Sequence, residues 1–527
     1  MGTKVYDNYA DLITFNRNSK GTALRPIGYG DELVTNGTFD TASDWTLGTG
    51  WSITGGELVA SSVSNSVSAS QNLVTTQGTV YLAVYTLSNV TAGSVRLQTN
   101  NKVLTTRSSD GTYSEIFVQP FTGQSSLRFQ AVGTFSGTID NVSVKEVLFD
   151  REGDPLTLFL HPEGVPRIEY DADRNLKGLL IEPESTNQIR NGSATGSATG
   201  VVGSGGALPT NWNTAAIASG ISIEVIGTGT EIGVSYIDLK FSGTATETKS
   251  TRVAFEASTH IVAAPSEVWT TSFFAKTIDL TAAYDAVGVQ QTYRTSAGVF
   301  VNANVNIVTL TSSLARYSET GTAPATTERV VPEIAFSITN GNTYDFTVRV
   351  GWAQIEESPI ATSAMPTTGS TFTRGKDDAS MTNVSGLIGQ KEGTLYVEVD
   401  FRTAGTAQYI LSVSDGTGNN WLLIWVISGS TRMYIDAGGG NLINTGDTNL
   451  SDGVQKLAFA YANGDQEFYR NGSSVIATTS SLAALGTLTD IDLGQSVSTG
   501  GQANMHIRAV QIIPRRLSDE QLIELTS

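Results

Sequence analysis

The 527-residue sequence contains no cysteine and only three histidines. The absence of cysteine excludes disulfide bonds and thiolate metal sites. No apolar run approaches the roughly 20 residues that a membrane-spanning helix needs, and the longest one, residues 421–427, has the length of a strand. The first seven residues lack the apolar core of a signal peptide. We therefore expect synthesis in a cytoplasm and no membrane insertion.

Charged residues are also scarce, at 16% of the chain, and 32 basic residues stand against 50 acidic ones. The resulting net charge of −18 repels phosphate backbones, so nucleic acid is not expected as a partner. A surface of this sign suits the exterior of a soluble particle, and solubility alone explains it equally well.

Glycine is abundant, with 54 residues, and apolar residues make up 39% of the chain. This composition suits short strands joined by tight turns, and a chain of this length is too long for a single core. Alternating side chains at residues 80–85 and 344–350 predict strands. The composition therefore indicates a folded, all-β protein of several domains.

Residues for enzyme chemistry are sparse. His161, His260 and His506 fall in different segments, and no Gly-x-Ser-x-Gly pattern marks a nucleophile before a helix. Two pairs of neighbouring carboxylates are candidates for glycan cleavage: Glu182 with Glu184, and Glu356 with Glu357. Sequence proximity does not establish the required geometry, and a solvated or docking role is the simpler account. We predict no catalytic residue and no enzyme activity.

Two peptides resemble segments of tailed-bacteriophage structural proteins. The first, residues 166–187, has charged residues in its first half and an apolar run at 179–181 in its second. The second begins at residues 352–357 and ends at Thr373 and Arg374. It resembles a peptide that closes a β-sandwich module in phage tail-fibre and virion-surface proteins. The resemblance implies a virion component, with the first peptide as a docking segment before a flexible joint.

Residues 1–31 are predicted to form an extended N-terminal anchoring arm, because residues 11–17 resemble the beginning of the same phage motif. In relatives the motif often runs on quickly to the Pro-Arg segment, whereas a long stretch intervenes here. We therefore expect an inserted module between the two halves, and contact between the arm and residues 148–190. Residues 191–208 are rich in Gly, Ser, Ala and Thr, so residues 148–208 are predicted to be a docking segment and linker.

The inserted module, residues 32–147, opens with residues 33–40 and closes with residues 137–144. These segments resemble the ends of jelly-roll carbohydrate-binding modules, which implies a β-sandwich and host-surface glycans as partners. Sugars stack their C–H faces on aromatic rings. The aromatic candidates for carbohydrate binding are Trp45, Trp51, Tyr81, Tyr85 and Tyr113. Tyr81 and Tyr85 share one strand face, and the alternative for the tryptophans is core packing.

The same resemblance implies a structural calcium near the first and last strands of the module. Its ligands would be Asn36 and Asp140, since hard oxygen donors suit calcium. The alternative is that Asp140 caps a turn. Residues 415–420 are a second oxygen-rich run, typical of a turn. No other cofactor is required.

A middle β-sandwich and connector are predicted over residues 209–384, and a third sandwich over residues 385–527. The third module resembles laminin-G-like or concanavalin-like domains. Ser518 and Gln521 form a capping box for a terminal helix, and Asn471 with Gly472 signals a hairpin. The strand at residues 421–427 is apolar on both faces, which predicts a buried strand rather than a binding platform. The predicted fold class is all-β, with three tandem β-sandwich (jelly-roll) domains after the arm.

The resemblances together predict a non-enzymatic phage virion protein, a head spike or tail fibre on the particle surface, made in the host cytoplasm. Its expected partners are other virion proteins and host cell-surface glycans. Relatives suggest a homo-oligomer, and a trimer is expected, although no coiled-coil heptads support it. Two alternatives stay open: a structural or capsid-decorating protein without ligand, and a glycan depolymerase.

Overall fold

The computed structural model describes residues 13–99, 102–120, 123–403, 405–448, 450–497 and 501–527. Residues 1–12 of the predicted arm, with Asp11 and Leu12, lie outside the described residues. Strands account for 59% of the chain and helix for 2%, which confirms the all-β, β-sandwich prediction. The chain divides into two compact units, Arg25–Thr157 and the remainder. No helix among the described residues has the length and apolar character needed to cross a bilayer.

The smaller unit contains the predicted inserted module. Its strands are Gly21–Glu32, Thr46–Leu47, Trp51–Thr54, Glu57–Val63, Ser68–Thr75, Val80–Thr99, Lys102–Arg107, Gly111–Val118 and Gly123–Phe149. The two longest strands pair antiparallel along most of their length, and irregularities in their register mark bulges that bend them. Tyr81, Ala83 and Tyr85 alternate with less buried residues and point into the core. The chain leaves the unit through the strand Leu156–His161.

The middle sandwich belongs to the larger unit and has two sheets, in which most neighbouring strands run antiparallel. The seven-stranded sheet has the order Gly205–Gly206, Gly200–Val202, Ile221–Glu231, Val234–Thr244, Thr343–Glu357, Val268–Ala282, Ala315–Thr322. The five-stranded sheet has the order Asn213–Ala216, Thr251–Ala254, Arg329–Ser337, Ala286–Arg294, Phe300–Val308. Phe241 joins them, because its ring lies 5.0 Å from that of Phe346 and 4.7 Å from that of Phe336. Burial of each such ring contributes roughly 1.5–3 kcal/mol relative to exposure.

The predicted linker at residues 191–208 differs from the structure. Its strands Gly200–Val202 and Gly205–Gly206 extend the seven-stranded sheet of the middle sandwich. The close pairing of these two strands requires glycine at position 206, because a Cβ there would lie 2.0 Å from the carbonyl oxygen of Gly200. Asn191 fastens the beginning of the segment through its amide, which donates to the carbonyls of Thr195 and Thr210, both at 2.8 Å.

The third sandwich consists of two seven-stranded sheets. The first has the order Thr14–Asn16, Asp378–Met381, Asp490–Leu493, Gln408–Ser414, Trp421–Ile427, Ser430–Ala437, Gly440–Asp447. The second has the order Ile168–Tyr170, Leu176–Ile181, Met505–Ile513, Glu392–Phe401, Gly453–Ala462, Asp465–Arg470, Ser473–Thr478. Residues of the predicted arm and of the predicted docking segment thus form edge strands of this sandwich. The described part of the arm therefore pairs with this sandwich through the strand Thr14–Asn16.

Local signals in the third module are confirmed. Asn471 and Gly472 have φ angles of 47° and 79° and connect the last two strands of the second sheet. Ser518 caps the helix Asp519–Thr526 with the predicted capping box through Gln521. Two further short elements complete the chain: the 3-10 turn Ser385–Leu387, and the two-stranded sheet of Ser185–Asn187 with Phe372–Arg374.

Candidate functional site

The aromatic residues predicted to bind carbohydrate lie mostly in the core of the smaller unit. Trp45 is 8% exposed, Trp51 6%, Tyr81 3% and Tyr85 0%. Trp45 and Trp51 pack against core phenylalanines at ring distances of 6.2 and 6.1 Å. Side chains this buried present no face to a sugar. The structure therefore corrects the expectation for these four residues in favour of core packing.

Tyr113 is half-buried at the border of the same core. Its ring lies 5.7 Å from that of Tyr85, and the guanidinium of Arg107 lies over it at 4.4 Å. Its hydroxyl donates to the carbonyl of Ser109 at 2.7 Å. In Tyr85, the residue whose ring Tyr113 contacts, burial and the neighbouring Glu115 raise the pKa of the hydroxyl. A sugar-stacking role for Tyr113 stays a prediction, and the guanidinium already occupies a position over its ring.

The two predicted calcium ligands make local hydrogen bonds. The Asn36 amide donates to the carbonyls of Thr41 at 2.7 Å and Ser43 at 3.0 Å. The Asp140 carboxylate accepts from the backbone and side-chain nitrogens of Asn141 at 2.6 and 2.9 Å, as a turn cap does. Among the described residues, no group of three or more His, Cys, Asp or Glu side chains is placed to hold a metal ion. Calcium stays a prediction.

The oxygen-rich run at residues 415–420 forms a turn that side-chain hydrogen bonds stabilise. One carboxylate oxygen of Asp415 accepts from the backbone and hydroxyl of Thr417 at 2.8 and 2.6 Å, and the other accepts from Asn420 at 2.8 Å. Partial burial raises the pKa of Asp415, but these hydrogen bonds outweigh burial and lower it. The contacts match the turn that the sequence predicts.

The candidate carboxylate pairs do not converge. Glu182 and Glu356 are fully buried, whereas Glu184 and Glu357 are exposed. In each pair one carboxylate is enclosed in the protein and the other faces solvent, so neither pair brackets a glycosidic bond. Glu356 is instead bonded by the hydroxyls of Ser185 and Thr362 at 2.5 and 2.6 Å. These contacts favour the docking role over a catalytic one.

The histidine His506 lies near two carboxylates. It lies in the strand Met505–Ile513 and is 3% exposed. Its Nε2 lies 2.5 Å from the carboxylate of Glu169, and its Nδ1 lies 4.0 Å from that of Asp400. Burial raises the pKa of Glu169, but its hydrogen bond and charge interaction with His506 lower it overall. The pair joins the added strand Ile168–Tyr170 to the third sandwich.

Six charged residues of the larger unit form what we call the buried ion cluster. Its members are Arg17, Arg167, Glu182, Arg374, Asp377 and Arg402. Arg167 lies at its centre, pairs with Asp377, and donates to Glu182 at 2.8 Å. The same guanidinium donates to the hydroxyl of Ser363 at 2.6 Å. Arg17 donates to Asp377 at 3.1 Å and to the carbonyl of Pro162 at 2.8 Å.

The buried ion cluster joins four distant parts of the chain. Arg17 comes from the arm, Arg167 and Glu182 from the first phage-type peptide, and Arg374 from the second. Arg402, which follows the strand Glu392–Phe401, reaches Glu182 at 2.5 Å. The expected contact between the arm and residues 148–190 is therefore confirmed. The two peptides that sequence resemblance singled out also meet each other.

The electrostatics of the cluster keep the carboxylate of Glu182 ionised. Burial raises the pKa of Glu182, but Arg374, Arg167 and Arg402 outweigh it and hold that pKa well below its usual value. Burial, together with repulsion from Arg167, lowers the pKa of Arg17 to about 10. Four guanidinium groups share two carboxylates, so each carboxylate is needed by more than one arginine. The other five side chains are fully buried and only Arg402 is partly exposed, which suits a structural connection and not a reaction.

A second feature lies on the outer face of the first sheet of the third sandwich. We call it the aromatic surface, and it consists of Tyr409, Trp421, Trp425 and Tyr434. Tyr409 and Trp425 are opposite each other on paired strands and stack with ring centroids 5.8 Å apart and an interplanar angle of 17°. Tyr434 meets both tryptophans edge-on, at 5.8 and 6.0 Å.

The rings of the aromatic surface are partly open to solvent and held in place by polar neighbours. Tyr409, Trp425 and Tyr434 are half-buried. Asp436 accepts hydrogen bonds from the indole of Trp421 at 2.7 Å and the hydroxyl of Tyr434 at 2.9 Å. These bonds fix the ring orientations and leave polar atoms beside apolar faces. Burial and the hydrogen bond to Asp436 raise the pKa of Tyr434.

The strand that carries both tryptophans is apolar on both faces, as predicted, but it is not buried on both. Leu422 and Ile424 point into the core with no exposure, whereas Trp425 on the other face is half-buried. The expectation that this strand is buried on both faces is therefore corrected, and its part in binding a ligand stays a matter for proposal. The aromatic surface could not be recognised from residues 421–427 alone, because Tyr409 and Asp436 come from neighbouring strands.

Comparisons with known proteins are limited to weak structural likenesses. No known protein family matches the sequence, and no curated protein is similar to it in sequence. The carbohydrate-binding module CBM40 of Ruminococcus gnavus IT-sialidase is 18% identical, with 27% of this chain and 86% of that chain covered and a TM-score of 0.24. The CBM22 tandem of Paenibacillus barcinonensis Xyn10C is 13% identical, covering 63% and 98%, with a TM-score of 0.24.

Domains LG4-5 of the mouse laminin α1 chain are 12% identical, with 55% of this chain and 96% of that chain covered and a TM-score of 0.19. Carbohydrate-binding modules and laminin G domains are thus the classes of structure that this chain is similar to. All three TM-scores are below 0.5, so these likenesses carry no argument about a ligand. What the chain binds has to be argued from its own side chains.

Proposed function

We propose that this protein is a non-enzymatic phage virion protein, a head spike or tail fibre on the particle surface, that adheres to host-surface glycans. The aromatic surface is the observation that carries the adhesion. Half-buried rings of Tyr409, Trp425 and Tyr434 lie side by side, with the Asp436 carboxylate next to them.

This arrangement suits the chemistry of sugars. A pyranose ring has apolar C–H faces that pack on aromatic rings and hydroxyls that need hydrogen-bond partners. Beside the rings, the guanidinium of Arg432 donates to the side chain of Asn444 at 2.9 Å, and Asn441 donates to Asp436 at 3.3 Å. These groups are exposed or half-buried and can exchange partners with sugar hydroxyls. Because one such surface is small, many copies on a particle would raise avidity.

The virion assignment rests on the two phage-type peptides. Their joint burial in one ion cluster supports a shared mechanical role for both, namely to hold the arm and the third sandwich together. Arg167 of the first peptide and Arg374 of the second share the carboxylates Glu182 and Asp377. A rigid base of this kind is what a surface appendage needs between its attachment point and its binding face.

Two measurements test the proposal. Imaging of intact particles with the labelled full-length protein should place it on the particle exterior, and absence from the particle would refute the virion role. A glycan array probed with the folded full-length protein should show binding to glycans of a host surface. If the array is negative and the protein is found on particles, the capsid-decorating alternative replaces adhesion.

The depolymerase alternative has a separate test. Neither carboxylate pair converges, because Glu182 and Glu356 are buried while their neighbours face solvent. Incubation of the protein with host capsule or lipopolysaccharide should therefore leave the chain length of the glycan unchanged. Appearance of shorter products would overturn the non-enzymatic assignment.

A further inference from the structure

The strand Phe300–Val308 is an edge strand with unusual exposure. It is last in the order of the five-stranded sheet, and within the described part of the chain its other side pairs with no strand. Phe300 is 58% exposed, Val305 43% and Ile307 62%. Natural edge strands usually carry charges, prolines or bulges that prevent pairing with another chain. This strand has one irregularity, a register shift between Phe300 and Asn302 at its beginning, and pairs regularly from Asn302 to Val308. Residues 295–315 contain no charged residue and no proline.

The sequence of this strand is symmetric about Asn304. Read in either direction, it gives two apolar residues, then asparagine, apolar, asparagine, apolar, asparagine, and two apolar residues. Two copies paired antiparallel about this centre would place each asparagine opposite an asparagine and each apolar residue opposite an apolar residue. The facing pairs would be Asn304 with its own copy, Ala303 with Val305, Asn302 with Asn306, Val301 with Ile307, and Phe300 with Val308.

Contacts within the sandwich hold the strand in place for such pairing. On one face, Asn306 donates to the carbonyl of Ser318 at 2.9 Å and so ties the strand to the opposite sheet. On the other face, Ile307 is paired with Gly288, where a Cβ would lie 2.6 Å from a methyl of Val305. The absence of a side chain at Gly288 thus leaves room for Val305 and allows the two strands to pair closely.

We propose that this edge is a homodimer interface, in which a second copy of the chain pairs antiparallel about Asn304. The charge distribution favours a second copy at this place. Each chain carries a net charge of −18, so two copies repel each other, and the uncharged edge is where they approach at least cost. The contact is isologous, which means that both copies contribute the same edge strand. Once two copies have paired, neither has this edge available for a third, so the assembly is a dimer and not the expected trimer.

Disulfide trapping tests the register. The chain has no cysteine, so Asn304→Cys introduces a single thiol in the full-length protein. Facing Cα atoms of an antiparallel pair lie about 4.5–5.5 Å apart, which is within disulfide range. Oxidation should therefore crosslink Asn304→Cys into dimers. Asn302→Cys is the matched control, because its own copy would lie four residues away, about 13 Å along the strand.

A mixture of two single-cysteine variants tests the same register in a second way. Asn302→Cys alone and Asn306→Cys alone should stay uncrosslinked, and the two mixed should crosslink to each other. Crosslinking of Asn302→Cys as fast as Asn304→Cys, or failure of every pair to crosslink, would overturn the proposal.

Sedimentation of the full-length protein tests the association itself. Val305→Lys puts two cations near the symmetry axis and should raise the dimer dissociation constant at least about tenfold. Val74→Lys is the control, because Val74 is 74% exposed in the smaller unit and should leave association unchanged. Circular dichroism establishes that both variants fold. A monomer at all concentrations, a trimer, or equal behaviour of the two variants would contradict a dimer at this edge.

Discussion

The guanidinium of Arg167 forms a fully buried ion pair with the carboxylate of Asp377, 210 residues further along the chain. Arg167 belongs to the first phage-type peptide, and Asp377 follows directly after the second. The backbone nitrogen of Glu182 also donates to Asp377, at 2.9 Å. One carboxylate thus binds both ends of the first peptide and holds the connector between the middle and third sandwiches.

Removal of this carboxylate should destabilise the larger unit strongly. Asp377→Asn leaves Arg17 and Arg167 buried with only Glu182 to neutralise them. Loss of one partner of a buried ion pair costs about 3–5 kcal/mol. We expect the urea midpoint of the larger unit to fall accordingly, as followed by circular dichroism. Asp345→Asn is the control, because its pair with Lys240 is more than 30% exposed on both sides and should matter little.

Acid should weaken the same unit, because the folded state binds the carboxylate of Glu182 in its charged form. The pKa of Glu182 lies well below its ordinary value of 4.5. The unfolded state therefore takes up a proton first, so this stabilisation is complete above about pH 5 and is lost as the pH falls towards the folded pKa. Urea midpoints at pH 7, 5 and 3 should show the loss.

A variant isolates the contribution of that carboxylate. Glu182→Gln should be less stable at pH 7 and should lose less stability than the wild type on acidification. Equal losses in the two proteins would show that other groups control the acid response.

Excision of residues 32–147 should leave the larger unit intact. Lys145 pairs with Glu32, so the cut ends lie close together, and Leu148 remains paired with Gly28. Residues 29–31, which include Gly30, would form a three-residue hairpin loop. All members of the buried ion cluster lie in the larger unit, so calorimetry should show only the transition of the smaller unit disappear. Under the proposed function, incorporation into the virion should also persist. Its loss would count against the interpretation that residues 32–147 are a module inserted between the two halves of the phage motif.

Glycan binding should depend on the stacked pair of the aromatic surface. Trp425→Ala removes the ring that stacks on Tyr409, and we expect affinity for a glycan found on the array to fall about tenfold or more. Because Trp425 is half-buried on the outer face, the sandwich should still fold. Tyr29→Ala is the control, since Tyr29 is 48% exposed in the smaller unit. If isothermal titration gives equal affinities for both variants, the ligand binds elsewhere.

Much of the fold could be predicted from local pattern. The strand alternation at Tyr81 and Tyr85, the Asn471 hairpin turn and the Ser518 capping box each depend on a few neighbouring residues. The binding residues could not be predicted in this way. The alternation of side chains along the strand indicates that Tyr81 and Tyr85 share a face. Which of the two faces is buried depends on where the opposite sheet packs. Both tyrosines proved to point into the core.

The sequence by itself determined that this protein is all-β, free of disulfides and strongly acidic, because composition and short-range periodicity suffice for those properties. It also singled out the two phage-type peptides by resemblance. Only the tertiary structure decided that Arg17, Arg167 and Asp377 meet in one buried ion cluster, and that Tyr409, Trp425 and Asp436 share one outer face. Both groups are assembled by pairing between distant strands, and that pairing depends on the whole set of competing long-range contacts, not on any local stretch of the chain.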